Sequence, residues 1–169
     1  VNDVMVYFFN EDYTKAIEPI YLKKESLTLT ETGDYTRTYT ATVHNASLKN
    51  GKYYIFAIAN IETDMWKLSE ANLDYSTYDN LVKALISASW TEPLGSNITL
   101  TGRSGSDGSA IVSGGQLTST IYLKRPYAKV NFNFKSGADH IVFNADSYSI
   151  YNLPGKASIF QRDAEAVAS

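Results

Sequence analysis

The sequence predicts an all-β sandwich, and three observations carry that prediction. Runs with a period of two recur along the chain, as in residues 128–134, where Ala128, Val130, Phe132 and Phe134 alternate with Lys129, Asn131 and Asn133. Successive side chains of a strand point to opposite faces of a sheet, so this alternation marks half-buried strands. Turn-forming pairs punctuate the runs, among them Gly33-Asp34, Asn50-Gly51 and Gly114-Gly115. The 13 tyrosines and 7 phenylalanines favour half-buried pleated surfaces. Together they imply about seven to nine short strands with one short helix.

Taken in order, residues 4–9, "VMVYFF", form the first strand, with Val4, Val6 and Phe8 on one face, and residues 10–12 turn. Residues 17–22, 27–30 and 35–43 follow as strands, the last alternating aromatics with threonines. Asn50-Gly51 is a tight-turn signal. Residues 52–61 then place Tyr54, Phe56 and Ile58 opposite Tyr53, Ile55, Ala57 and Ala59. Both faces are apolar, which predicts a central strand covered on both sides. The period then changes: Leu81, Val82, Leu85 and Ile86 make a helical stripe, a Ser or Thr at 76–77 can cap it, and Asp79 favours its first turn. A helix is therefore expected near 77–88, ending before Pro93. Strands resume at 97–101, a polar loop spans 102–109, and further strands follow at 110–112, 117–123, 127–134, 140–143 and 148–151. In "IYLKRPYAKVNFNF", residues 121–134, Arg125-Pro126 interrupts the alternation, and proline cannot donate to a sheet ladder. The step is read as a bulge or a sheet-switching bend, since no Gly, Asn or Asp turn signal accompanies it; a hairpin turned at Pro126 is the alternative.

With 169 residues the chain is long enough for one domain, and at roughly 150 residues a domain buries about 70% of the surface its unfolded chain exposes. There is no cysteine, which excludes disulfides, thiolate metal sites and a cysteine nucleophile. The net charge of -3 gives no electrostatic footprint for nucleic acid. No apolar run approaches the ~20 residues of a membrane helix, so no membrane contact is expected of this chain. The opening Val1-Asn2-Asp3 and the loose ending at 163–169 are read as those of a processed or truncated chain.

Catalytic chemistry finds little purchase. His44 and His140 each stand alone, without metal-ligand spacing. Asp139-His140 lacks a Gly-x-Ser-x-Gly elbow to serve. The 102–109 loop is not followed by a helix, as a phosphate cradle requires, and Asp107 with Ser104, Ser106 and Ser109 is too poor in carboxylates for a calcium loop. The competing class, a hydrolase using Asp139, Asp146 or Glu92, has no cleft that sequence can supply. The reading is not an enzyme, with no cofactor and no metal. Tyr75, Tyr78 and Trp90 could form a glycan-stacking platform, although such aromatics are more often core or edge packing.

The order of features is more telling than any one of them. "VMVYFFN" at 4–10, "GKYYIFAIAN" at 51–60, a helix-bearing insertion, "ITLTG" at 98–102, "IYLKRPYAKV" at 121–130 and "YSIYNLP" at 148–154 occur in that sequence. This resembles the N-terminal domain of the fimbrillin family, the type V pilins and related surface proteins of Bacteroidetes, over about residues 4 to 160. Leu100 stands where that family usually has methionine, and the family's second domain, leader and lipid-bearing cysteine are not found in this chain. The resemblance implies a transthyretin-like β-sandwich over residues 1–160, with 161–169 a tail or the start of a second domain. It also implies an exported protein of the cell surface, fimbrium or outer membrane, from a lipid-anchored precursor. Its expected partners are other fimbrial subunits or itself, and a host or microbial surface ligand.

In that family, trimming of an N-terminal strand opens an apolar groove that another subunit's strand fills. Here the floor is expected from Val4, Val6 and Phe8 with Tyr54, Phe56 and Ile58 and with Val130, Phe132 and Phe134. A donor strand would bury about five alternate side chains, at roughly 1.5–3 kcal/mol each before ordering costs. The resemblance thus implies a structural subunit or surface adhesin component of a bacterial fimbria that assembles by donor-strand exchange; the alternative is a glycan- or protein-binding module of a cell-surface lipoprotein.

Overall fold

A computed structural model describes residues 1–33, 37–41, 47–61, 73–83, 85–87, 99–114, 116–124 and 156–158. The fold is all-β and sandwich-like. Its main sheet is antiparallel and six-stranded: β1 (Asp3–Phe9), β2 (Ile20–Lys23), β5 (Gly51–Ala59), β7 (Leu100–Ser104), β8 (Ser109–Val112) and β9 (Ile121–Lys124). The spatial order is β2-β1-β5-β7-β9, with β8 also on β5. Two smaller sheets pair β3 (Thr28–Thr32) with β4 (Arg37–Thr40), and β6 (Leu85–Ser87) with β10 (Lys156–Ser158). The ten strands found among the described residues slightly exceed the expected number, and two of them are only three residues long.

The nine-residue β5 is the centre of the sheet, as its two apolar faces require. β1 pairs with it from Val4↔Ala59 to Phe9↔Tyr54. Asn60 ends the strand in the left-handed conformation (φ 60°), which asparagine tolerates better than most residues. The buried Asp3 locks this end: its carboxylate accepts the Ile61 N–H at 2.6 Å, and its carbonyl accepts the Asn60 N–H at 2.9 Å. On the other side of β5, β7 pairs with residues 56–59 and β8 with residues 51–54. They are two halves of one neighbour, interrupted by an excursion at 105–108. Gly105 (φ 53°) and Gly108 (φ 87°) supply its left-handed turns. The expected 102–109 loop is thus shorter, because Gly102, Arg103 and Ser104 continue the ladder.

The helix is also shorter than expected. α1 covers Tyr78–Lys83, and Leu85 and Ile86 belong instead to β6, paired with β10. The apolar stripe continues past Lys83, but a strand partner from beyond residue 155 takes its last residues. At the other end of α1, the Thr77 hydroxyl accepts the Asn80 N–H (3.2 Å), the cap the sequence called for. The 127–134, 140–143 and 148–151 strands and the Arg125-Pro126 step lie outside the described residues. Among the described residues, no helix is long and apolar enough to cross a membrane.

Candidate functional site

The register between β1 and β5 decides which candidate residues meet. Val6 faces Ala57 and Phe8 faces Ile55, while Tyr7 faces Phe56 and Phe9 faces Tyr54. Directly opposed residues share a face. Val4, Val6 and Phe8 therefore lie with Tyr53, Ile55, Ala57 and Val112. Tyr54, Phe56 and Ile58 lie on the other face, with Tyr7, Phe9 and Leu81. A single groove floor built from both triplets is not formed, since the sheet separates them. Alternation reveals two faces in each strand, but not the register that matches them, and a one-residue slip exchanges the faces. Val4, Val6 and Phe8 are buried at 9%, 8% and 7% exposure. Val130, Phe132 and Phe134 lie outside the described residues.

The face holding Tyr54 and Phe56 carries a tyrosine-rich cluster. The Tyr78 ring lies 5.0 Å from Phe56, 6.1 Å from Phe9 and 5.0 Å from Tyr13 between centroids. Tyr75 packs on Tyr7 at 5.7 Å, with the Lys15 ammonium 5.5 Å from the Tyr75 ring. The two described members of the candidate platform are thus half-buried packing residues, and Trp90 lies outside the described residues. The most exposed ring of this cluster is Tyr13, which follows the expected 10–12 turn and was not among the candidate residues. It is 43% exposed, sits at φ 65°, and stacks on Tyr54 with centroids 4.8 Å apart. A tyrosine inside the turn-forming "NEDYT" run was the available signal.

Three aspartates repeat one local device. Asp12, Asp74 and Asp107 accept hydrogen bonds from the backbone N–H and hydroxyl two residues on, at Thr14, Ser76 and Ser109. These bonds favour the ionised form and hold all three carboxyls below their ordinary range. Asp74 also accepts the Asn80 amide at 2.7 Å, which ties the approach of α1 to its first turn. Backbone bonds from Lys15 to Ser76 and from Tyr78 to Tyr13 join this approach to the 10–15 turn. Burial, and then the neighbouring Tyr75, push the Tyr7 hydroxyl well above its usual range, and burial raises Tyr78. These carboxylates organise turns, and among the described residues no group of three His, Asp or Glu side chains is placed to hold a metal ion.

The described fold is thus a broad antiparallel sheet with a buried apolar cluster on each face. The chain belongs to the family of fimbrillin-A associated anchor proteins Mfa1 and Mfa2, whose family model matches residues 1–168. This supports the Bacteroidetes fimbrillin assignment. It makes the chain a fimbria-associated protein, exported to the cell surface, in a structural class and not an enzyme class. No curated protein and no solved structure matches it.

Proposed function

We propose that the chain is an anchor subunit, which holds a fimbria to the cell surface and engages other fimbrial subunits by donor-strand exchange. The observation that carries this reading is the family match across residues 1–168. The donor strand's apolar side chains belong on the Val4, Val6 and Phe8 face, over Ile55 and Ala57, beside the Ile121 and Leu123 side chains of β9. Tyr54, Phe56 and Ile58 leave the floor, because their face is packed under α1. Since Val4, Val6 and Phe8 are buried within the chain, an incoming strand must replace a covering segment, and this distinguishes exchange from simple addition to an edge. Residues 1–160 act in this reading as the fimbrillin-like N-terminal domain, and 161–169 as a tail or the start of a second one.

Peptides copying extended, alternately apolar segments of fimbrial subunits test the exchange. One of them should bind the chain and raise its melting temperature, while a copy with its inward side chains changed to Asp should not. If no such peptide binds or stabilises the chain, donor-strand exchange is wrong for it.

A surface glycan is the second reading, favoured by the exposed Tyr13 ring stacked on Tyr54 and Tyr78. Glycan-array binding that is lost on Tyr13→Ala or Trp90→Ala would support it. An array without binding would remove it.

A further inference from the structure

Tyr13 is held in a backbone conformation that bulky residues seldom adopt. Its φ of 65° lies in the left-handed region. Both of its backbone polar groups fix it there: its N–H donates to the Asn10 carbonyl at 3.0 Å, and its carbonyl accepts the Tyr78 N–H at 2.9 Å. The next residue is tied as well, since the Asp12 carboxylate accepts the Thr14 N–H at 3.1 Å. A strained residue whose surroundings over-determine it points to a side chain whose position matters.

The strain lays the Tyr13 ring on Tyr54 of the central strand. Their centroids are 4.8 Å apart and their planes differ by 31°. That is closer and more nearly parallel than Tyr13 with Tyr78 (5.0 Å, 49°) or Tyr54 with Tyr78 (5.9 Å, 66°). The Tyr13 hydroxyl donates to the Tyr54 hydroxyl, with the oxygens 3.4 Å apart. The two rings thus meet at their phenolic ends, where the carbons ortho to each hydroxyl lie. A phenoxyl radical carries much of its unpaired spin on those carbons. Tyr13 is 43% exposed, within reach of an oxidant in solvent, and Tyr54 is half-buried against it. Other tyrosine pairs serve less well. Tyr7 is buried and lies 5.7 Å from Tyr75, and the Tyr78 hydroxyl is hydrogen-bonded to Arg103.

We propose that Tyr13 and Tyr54 are an oxidative cross-linking site, where hydrogen peroxide activated by a haem peroxidase couples the two rings into a dityrosine. Each phenol gives up one electron and its hydroxyl proton, and the two phenoxyl radicals join by a bond between ortho carbons. The two ortho hydrogens then pass as protons to the phenolic oxygens, which restores both rings. One peroxide takes up the two electrons and two protons as its O–O bond breaks, and leaves as two waters. The chain loses two hydrogen atoms and gains one carbon–carbon bond. This bond does for the chain what a disulfide does elsewhere, in a sequence with no cysteine. It closes a loop across 41 positions and ties the 10–15 turn to β5. Such a closure restricts the unfolded chain more than the folded one. The site requires neither a donor strand nor a surface glycan.

The test treats the dilute full chain with limiting hydrogen peroxide and a haem peroxidase, isolates the monomer and digests it with trypsin. The expected product is peptide 1–15 joined to peptide 53–67, lighter than their sum by two hydrogens. It should show the blue fluorescence of a dityrosine, and fragmentation should place the link on Tyr13 and Tyr54, not on Tyr7 or Tyr53. Tyr13→Phe and Tyr54→Phe each keep the packed ring and remove one phenol, and each should abolish the link in the monomer. Tyr122→Phe, which removes a 64% exposed tyrosine, should leave it unchanged. The cross-linked monomer should melt roughly 5–10 °C above the untreated chain. A monomer without the joined peptides, a link that survives Tyr13→Phe, or cross-links between chains alone overturns the proposal. A cross-linked monomer that melts no higher overturns its stapling role.

Discussion

Gly102 of β7 lies directly opposite Leu123 of β9. A Cβ built on it would lie 2.2 Å from the Tyr122 carbonyl oxygen and 3.1 Å from the Leu123 Cα, backbone atoms that cannot swing aside. Gly102→Ala must therefore push β9 off the sheet, and the expected loss is about 1–3 kcal/mol, read from chemical denaturation. Its role was hidden in the sequence, because a glycine opening the run "GRSGSDGS" looks like the start of a loop. Close backbone approach is the other use of a strand glycine, and it becomes visible only once the partner strand is known. The three turn aspartates give a prediction in pH. Hydrogen bonds hold Asp12, Asp74 and Asp107 below the ordinary value of 3.8 in the folded chain. A carboxyl with a lowered folded pKa adds stability that is fully present above its unfolded pKa and is lost as pH falls through the folded one. Melting temperature should thus decline as pH drops below about 4. The triple change of Asp12, Asp74 and Asp107 to Asn should flatten part of that decline, and an unaltered acid limb would contradict the assignment.

Elements were legible where one signal dominated. The strand at 4–9 and the central strand at 52–61 were readable because their apolar patterns are strong; both exist, as β1 and as β5, which ends at Ala59. Thr77 and Asp79 located the start of α1, but its end was misjudged. Leu85 and Ile86 fit a helical stripe and a strand equally well, and their partner lies some 70 residues away, at Lys156–Ser158. For the candidate groove the sequence left the pairing open for a related reason. Each triplet is apolar and inward, yet the register that puts them on opposite faces is a property of two strands together. Short as it is, α1 carries weight through Leu81, which is fully buried against the Phe9, Phe56 and Ile58 cluster. Leu81→Ala should destabilise the chain by about 2–5 kcal/mol in denaturant titration, with strands β7 to β9 retaining slow amide exchange in the folded state. A loss under about 1 kcal/mol would mean that α1 does not seal this face.

For the molecule as a whole, the two faces of the main sheet separate the proposed tasks. In the proposed exchange the Val4, Val6 and Phe8 face takes the donor strand, while the opposite face packs under α1. The all-β class was legible in the alternation and the turn pairs, and the fimbrial kinship in the order of several weak motifs, with the family match spanning nearly the same residues. Anchoring is the central claim, and deleting the coding sequence tests it most directly, with fimbriae then counted on cells and in the medium by electron microscopy. The account predicts that cells lacking the chain still make fimbriae but shed them into the medium, and that restoring the chain returns them to the surface. Fimbriae that stay attached in undiminished number without it would contradict the account.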